Sequence, residues 1–130
     1  MKQILVVDDE QDVQYLFQQR FRREIRQGDL EITFSLSAEE ALVKLKQSDG
    51  KIGSYLVLSD INMPGMDGLE FLRIVKSDFP DLKMIMVTAY HDNQTYRMAM
   101  SYGADGYINK PIQFDSLKQT ILSLQDQMRG

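Results

Sequence analysis

The feature that most constrains the fold is an alternation of short apolar runs with longer amphipathic segments, which repeats five times. The first apolar run, Ile4 to Val7, is followed by apolar residues that recur at helical spacing as far as Ile25. Parallel strands need long crossover connections, so strands that alternate with helices predict a parallel sheet with helices on both faces. We therefore predict an α/β fold, a single doubly wound (βα)5 domain over residues 1–130 with a five-stranded parallel sheet.

Turn and capping residues bound the other predicted elements. Ser37 and Asp67 each precede a glutamate by three residues, which is the spacing of a helix-opening capping box. A fourth helix is predicted from about Asp92 to Tyr102. The later predicted strands are Leu30 to Ser35, Tyr55 to Leu58, Met84 to Val87 and Gly106 to Ile108, and the apolar face of a closing helix is Phe114, Leu117, Ile121 and Leu124.

Composition excludes several kinds of site. The chain has no cysteine, which removes disulfides, thiolate nucleophiles and cysteine-based metal sites. Its single histidine, His91, argues against a histidine-rich metal site, and we expect His91 to face solvent or to lie near the start of the fourth predicted helix. The longest apolar runs are far too short to cross a bilayer and no signal peptide is evident, so we predict a cytoplasmic protein without membrane contact.

The charge balance argues against nucleic acid as a direct partner. Fifteen Lys and Arg against nineteen Asp and Glu leave a net charge of −4. Broad phosphate-backbone binding requires a basic surface instead. A local arginine cluster opposes the overall sign, and we interpret it as a solvated helix face; its members are Arg20, Arg22, Arg23 and Arg26.

The residues with the most chemistry follow the predicted strands. Asp8 and Asp9 follow the first strand, Asp60 the third, Thr88 the fourth and Lys110 the fifth. Open parallel sheets bind ligands outside the carboxyl ends of their strands. Clustered carboxylates repel one another and favour a hard cation such as Mg²⁺. A lysine and a hydroxyl beside them can neutralise a phosphoryl group, so the sequence predicts a magnesium and phosphoryl site.

Four stretches of the chain form a recognisable set: Ile4 to Glu10, Ser59 to Gly68, Val87 to Ala89 and Gly103 to Pro111. In these stretches the chain resembles a receiver domain of the two-component response regulators, the CheY-like family. The stretches follow the family's order and span essentially the whole chain. The resemblance implies a flavodoxin-like sheet of strand order 2-1-3-4-5. It also implies a phosphorylation-controlled switch that turns over no substrate beyond its own phosphoryl transfer and hydrolysis.

The resemblance implies roles for the site residues. Asp60 would accept a phosphoryl group from a sensor histidine kinase or a histidine phosphotransfer protein. Asp8 and Asp9 would bind Mg²⁺ together with Asp60 and the backbone carbonyl of Asn62. Lys110 would pair with the phosphoryl oxygens, ahead of a cis peptide bond to Pro111.

The resemblance also implies how the signal leaves the site. Thr88 would move toward the phosphate and Tyr107 would turn inward. The fourth predicted helix, the last strand and the closing helix would form the output surface, with Tyr96, Met100 and Tyr107 on it. We expect this surface to control a downstream protein or a fused output domain, or to form a phosphorylation-dependent homodimer.

Two other functions remain open from the residues alone. A small Mg²⁺-dependent phosphohydrolase or phosphotransferase would also use an aspartyl phosphate, but it needs a second carboxylate where Asn62 stands and a cap domain. A flavin-binding electron carrier needs a phosphate-binding loop where Asp8, Asp9 and Glu10 stand. Two departures from the family pattern are a first helix that extends toward Ile25 and a longer connection around residues 49–54.

Overall fold

The computed structural model describes residues 2–129, with the side chains up to Ile121 and that of Leu124. Within this range five parallel strands form one sheet in the order β2-β1-β3-β4-β5, which confirms the predicted fold class and strand order. The strands are β1 Lys2–Val7, β2 Leu30–Ser35, β3 Leu56–Asp60, β4 Met84–Thr88 and β5 Gly106–Asn109. The third and fourth strands extend further than predicted, so Asp60 and Thr88 are the last residues of β3 and β4.

Six α-helices connect and follow the strands within residues 2–129. They are α1 Gln11–Arg20, α2 Arg22–Arg26, α3 Ala38–Ser48, α4 Gly68–Asp78, α5 Asn93–Ser101 and α6 Phe114–Arg129. The long connection over residues 49–54 contains a 3-10 turn, Lys51–Gly53. The fourth predicted helix is therefore α5, and the closing helix is α6.

The first predicted helix is two helices, because the backbone leaves helical geometry at Phe21, with φ −108° and ψ 17°. The Phe21 side chain stays buried and stacks on Phe17, with ring centroids 5.8 Å apart. Ile25 is partly exposed despite its helical spacing from Phe21. The spacing of apolar residues indicates which side chains share a buried face, but it does not detect a break in the helix backbone. The predicted single helix was therefore wrong at Phe21.

Two apolar layers sandwich the sheet. Phe17 of α1 and Leu117 of α6 pack on one face, while Leu45 of α3 and Phe71 of α4 pack on the other. Along β3, consecutive residues Leu56 to Leu58 contribute alternately to the two layers, as the two-residue period of a strand requires. The predicted apolar face of α6 is confirmed, since Leu117, Ile121 and Leu124 are buried and the partly buried Phe114 packs against the same layer.

The predicted helix caps are also present. The Ser37 hydroxyl accepts a hydrogen bond from the Glu40 amide at 3.1 Å, and the Asp67 carboxylate accepts one from the Glu70 amide at 2.9 Å. Each side chain thereby satisfies an amide that lacks an intrahelical partner. Among residues 2–129, no helix is both long enough and apolar enough to cross a membrane.

Candidate functional site

Asp8 and Asp60 come together because β1 and β3 are neighbours in the sheet. Val7 pairs with Ser59 in the parallel register, so the residues that follow them emerge at the same edge. Asp60 is 5% exposed and Asp8 is also buried. The Asp8 amide donates to Ser35 O at 3.1 Å, which anchors the turn after β1 beside the end of β2. This edge is where open parallel sheets bind ligands.

A cluster of three carboxylates lies at this edge. One oxygen from each of Asp8, Asp9 and Asp60 falls within 4.8 Å of the other two. Asp8 and Asp60 are buried, whereas Asp9 is exposed. Hard divalent cations bind such oxygen donors and keep several waters, which the exposed side of the cluster would admit. The cluster therefore fits Mg²⁺, as the sequence predicted.

Lys110 neutralises part of this negative charge. Its Nζ lies 3.0 Å from Asp60 Oδ2 and 3.3 Å from Asp8 Oδ2, so it bridges the two buried carboxylates. The Lys110 amide donates to Thr88 O at 2.8 Å, which holds the residue at the end of β5. The peptide bond from Lys110 to Pro111 is cis, as predicted.

Burial and charge shift the titration of this cluster. Burial raises the pKa of the Asp8 carboxyl, although the Glu10 amide and Lys110 lower it in part. Burial acts to lower the pKa of Lys110, but its hydrogen bond to Asp60 and the charges of both aspartates outweigh this and raise it. Lys110 is thus held as a cation beside the carboxylates.

Gly68 allows α4 to begin directly against the end of β3. Its amide donates to Ile61 O at 2.8 Å. A Cβ at this position would lie 2.1 Å from Asp60 O and 2.7 Å from Ile61 Cα, distances that no side chain can adopt. From the sequence, Gly68 was named only as the last residue of a family-like stretch, with no role of its own. Its position in the sequence held a signal: Gly68 directly follows the Asp67 cap, and a glycine at the first position of a helix, in place of a helix-forming residue, indicates a close approach of another segment.

Thr88 is fully buried, and its hydroxyl is already engaged. Thr88 Oγ1 accepts a hydrogen bond from the Tyr90 amide at 3.0 Å. The Tyr90 carbonyl in turn accepts one from Asn109 Nδ2 at 2.7 Å. Asn109, which sequence reasoning did not single out, therefore ties the loop after β4 to the end of β5. The only sequence signal for Asn109 was its position directly after the last predicted strand.

The remaining predicted site residues lie near this cluster or on the adjoining surface. The Asn62 amide donates to Asp60 Oδ1 at 3.3 Å, and its side chain is exposed. Tyr96 is 46% exposed and Met100 39% exposed, so both face outward on α5. Tyr107 is half-buried beside Tyr96. His91 is exposed, as predicted.

Comparison with known proteins places this geometry in a family. The model of the response regulator receiver domain matches residues 4–122. The chemotaxis protein CheY of Halobacterium salinarum is 34% identical over 92% of this chain and 93% of its own length. The solved structure of response regulator TrrA of Thermotoga maritima, in complex with Mg(2+)-BeF, has a TM-score of 0.75 and 36% identity, covering 95% of this chain and 99% of its own.

Other relatives are longer than this chain. A probable C4-dicarboxylate response regulator, DctR of Halalkalibacterium halodurans, is 29% identical over 97% of the chain, which spans only 52% of that protein. The chain thus spans about half the length of this relative.

Proposed function

Because the chain belongs to the response regulator receiver domain family, whose members are phosphorylation-controlled signalling switches, we propose that Asp60 is its phosphoacceptor. A carboxylate oxygen of Asp60 attacks the phosphorus of a phosphohistidine on a sensor kinase or phosphotransfer protein. The O–P bond forms as the N–P bond breaks, and its electron pair returns to the imidazole nitrogen. The product is an acyl phosphate on Asp60.

The observation that carries this proposal is the Lys110 amine held 3.0 Å from Asp60 inside a carboxylate cluster. Without a nearby cation, a buried aspartate beside two other carboxylates would repel an incoming phosphoryl group. The Lys110 ammonium group offsets that repulsion and can form an ion pair with the oxygens of a phosphoryl group bound to Asp60. Position thereby distinguishes Asp60 from the exposed aspartates of the chain.

The carboxylates of Asp8, Asp9 and Asp60, with the carbonyl of Asn62, are the proposed magnesium ligands. When bound, Mg²⁺ would neutralise the phosphoryl charge that Lys110 alone does not balance. Support comes from the 4.8 Å cluster of carboxylate oxygens and from the structure of TrrA in complex with Mg(2+)-BeF. The chain's own residues supply the nucleophile and the fixed cation.

Thr88 and Tyr107 are the proposed switch residues. Thr88 Oγ1 now accepts a hydrogen bond from the Tyr90 amide. A phosphoryl group on Asp60 would offer the Thr88 hydroxyl a stronger, charged acceptor. Movement of Thr88 would change the space beside Tyr107 and reshape the output surface, which carries Tyr96, Met100 and Tyr107.

Partners follow from this assignment and are proposals as well. They comprise a histidine kinase or phosphotransfer protein upstream, and a downstream protein, a fused output domain or a second copy at the output surface. We also propose that residues 1–130 form one domain, that it acts in the cytoplasm and that it does not bind nucleic acid directly.

The phosphohydrolase alternative is less well supported, because the amide of Asn62 cannot act as a general acid or base.

Acetyl phosphate with Mg²⁺ provides the test. We expect one added phosphoryl group, detected by intact mass and released by hydroxylamine, and none in Asp60→Asn. Asp67→Asn is the matched control, because Asp67 is an exposed helix cap in the same loop and asparagine also caps helices. A hydroxylamine-labile group that persists in Asp60→Asn would refute the assignment.

A further inference from the structure

A groove of about 470 Å³ runs between the α1–α2 pair and β2, and the phosphotransfer proposal does not use it. Its walls include Gln18 of α1 and the α2 residues Arg22, Ile25 and Arg26. Ile32 and Phe34 of β2 lie on its other side and are half-buried. Glu31 of β2 also lines the groove, and its exposed carboxylate accepts a hydrogen bond from Gln3 Nε2 at 3.2 Å. The turn at Phe21, which separates α1 from α2, sets this basic helix alongside the edge of the sheet.

The backbone of β2 is open along this edge. Ser35 O accepts from the Asp8 amide and Asp29 O from the Lys2 amide, so the odd-numbered residues direct their peptide groups toward β1. The peptide groups of Leu30, Ile32 and Phe34 must then point away from the sheet. Within residues 2–129, β2 pairs with β1 alone.

A lysine covers one end of this edge. Lys44 Nζ donates to Phe34 O at 2.5 Å, which agrees with the outward direction of that carbonyl. Lys44 belongs to α3, and a charged group that covers a sheet edge in this way blocks unwanted pairing there. The peptide groups of Ile32 have no such cover among the described side chains, so the middle of the strand is free to pair.

Charge and apolar surface define what can bind there. Arg22 and Arg26 are four residues apart on one helix, line the same groove, and form no ion pair with any side chain that the structure describes. Ile25 between them is 36% exposed. Arg20, in contrast, lies over the Phe114 ring at 5.5 Å and is already engaged.

We propose that this groove binds an extended acidic segment of a partner protein, which adds as a strand to the free edge of β2. The backbone of the segment would pair with Ile32 and with the Phe34 amide. Its carboxylates would reach Arg22 and Arg26, and an apolar side chain between them would cover Ile25 and Ile32. The chain carries a net charge of −4, so these two arginines, without ion pairs among the described side chains, are a local positive exception that favours an acidic partner.

The test uses the full chain and a synthetic peptide of about six residues, Glu-Thr-Val-Thr-Glu-Thr, whose length matches one strand and whose two glutamates and valine share one face of that strand. Amide signals of Ile32 and Phe34 should shift in NMR titrations, and affinity should fall as salt is added. Two further peptides carry N-methyl groups on one or the other set of alternate residues. Blocking the set that faces β2 should abolish binding, and blocking the other set should not.

Arg22→Glu with Arg26→Glu should weaken binding by at least about tenfold. Arg23→Glu is the matched control, since Arg23 is exposed on the same helix but does not line the groove. If the double charge reversal fails to fold, Arg22→Gln with Arg26→Gln replaces it.

Several results would overturn the proposal. They are no binding of the parent peptide, equal binding of the same peptide with lysine in place of both glutamates, tolerance of both N-methylated sets, or pairing of two protein copies at this edge instead. Loss of phosphorylation in Asp60→Asn would leave peptide binding unchanged, so the two proposals fail separately.

Discussion

The ring of Tyr107 stands edge-on against the ring of Tyr96, with centroids 5.2 Å apart and planes at 90°. The Tyr107 hydroxyl is buried and has no hydrogen-bond partner among the described residues. An unpaired buried hydroxyl costs about 1–3 kcal/mol, so ring packing and not hydrogen bonding holds Tyr107 in this orientation. Desolvation, and secondarily the charge of Asp92, raises the pKa of Tyr107. Tyr96 is therefore the outward neighbour of the proposed switch residue.

Tyr96→Ala combined with Met100→Ala should preserve folding and Asp60 phosphorylation but remove phosphorylation-dependent association. Neither side chain is buried in the core, so we expect a cost of only about 1 kcal/mol, chiefly from the lost ring pair. Sedimentation of the phosphorylated protein measures association, with exposed Val43→Ala on α3 as the control. A loss of several kcal/mol would instead mean that the pair belongs to the core.

Magnesium should raise the unfolding temperature of the protein, because it binds the folded carboxylate cluster and not the unfolded chain. Asp9→Ala should abolish that gain. It should also leave the metal-free protein as stable or more stable, because one of three repelling charges is gone. Thermal unfolding with and without Mg²⁺ measures both effects. An unchanged magnesium response in Asp9→Ala would count against the proposed ligands.

Tyr90 and Asn62 should influence the lifetime of the phosphoprotein in opposite directions. Both side chains are exposed beside the site, Tyr90 after Thr88 and Asn62 after Asp60. The Tyr90 ring can obstruct the attacking water, whereas the Asn62 amide can orient it. Tyr90→Ala should shorten the lifetime and Asn62→Ala should lengthen it, as followed by loss of the acyl phosphate. The reverse pair of results would reject this geometry.

Gly68→Ala should destabilise the protein by about 3 kcal/mol, because the added methyl group meets the backbone of Asp60 and Ile61. Gly28→Ala is the control: its φ of +78° strains alanine, but no atom lies within 4 Å of the new Cβ. That change should cost about 1 kcal/mol. Urea unfolding measures both, and equal losses would show that the close approach at Gly68 is relieved by movement of α4.

Asp92→Ala should destabilise the protein in a pH-dependent way. The Asp92 carboxylate accepts hydrogen bonds from the Thr95 amide at 2.9 Å and the Thr95 hydroxyl at 2.8 Å. The Thr95 amide, and then its hydroxyl, hold the pKa of Asp92 below the ordinary 3.8. A lowered folded pKa gives stability that is present above 3.8 and lost as pH falls through the folded value. Unfolding temperatures of the two proteins should therefore converge in acid, and a constant gap would contradict this.

Sequence alone was sufficient for the features that depend on local pattern. The alternating apolar runs predicted five βα units, and the residues after those runs predicted which side chains reach the carboxyl edge of the sheet. Ser37 and Asp67 were recognisable as caps, because capping depends on residues three apart. These properties are encoded within short windows of the chain, where backbone preference and side-chain spacing decide the outcome.

Only the tertiary structure decided the relations between distant segments. Lys110 bridges Asp8 and Asp60, Gly68 admits α4 to the end of β3, and Tyr107 packs on Tyr96. The break at Phe21 likewise keeps its ring in the core while α2 lies along β2. Each depends on packing between elements far apart in sequence. Interatomic distances of a few ångströms determine such packing, and the spacing of residues along the chain does not specify those distances.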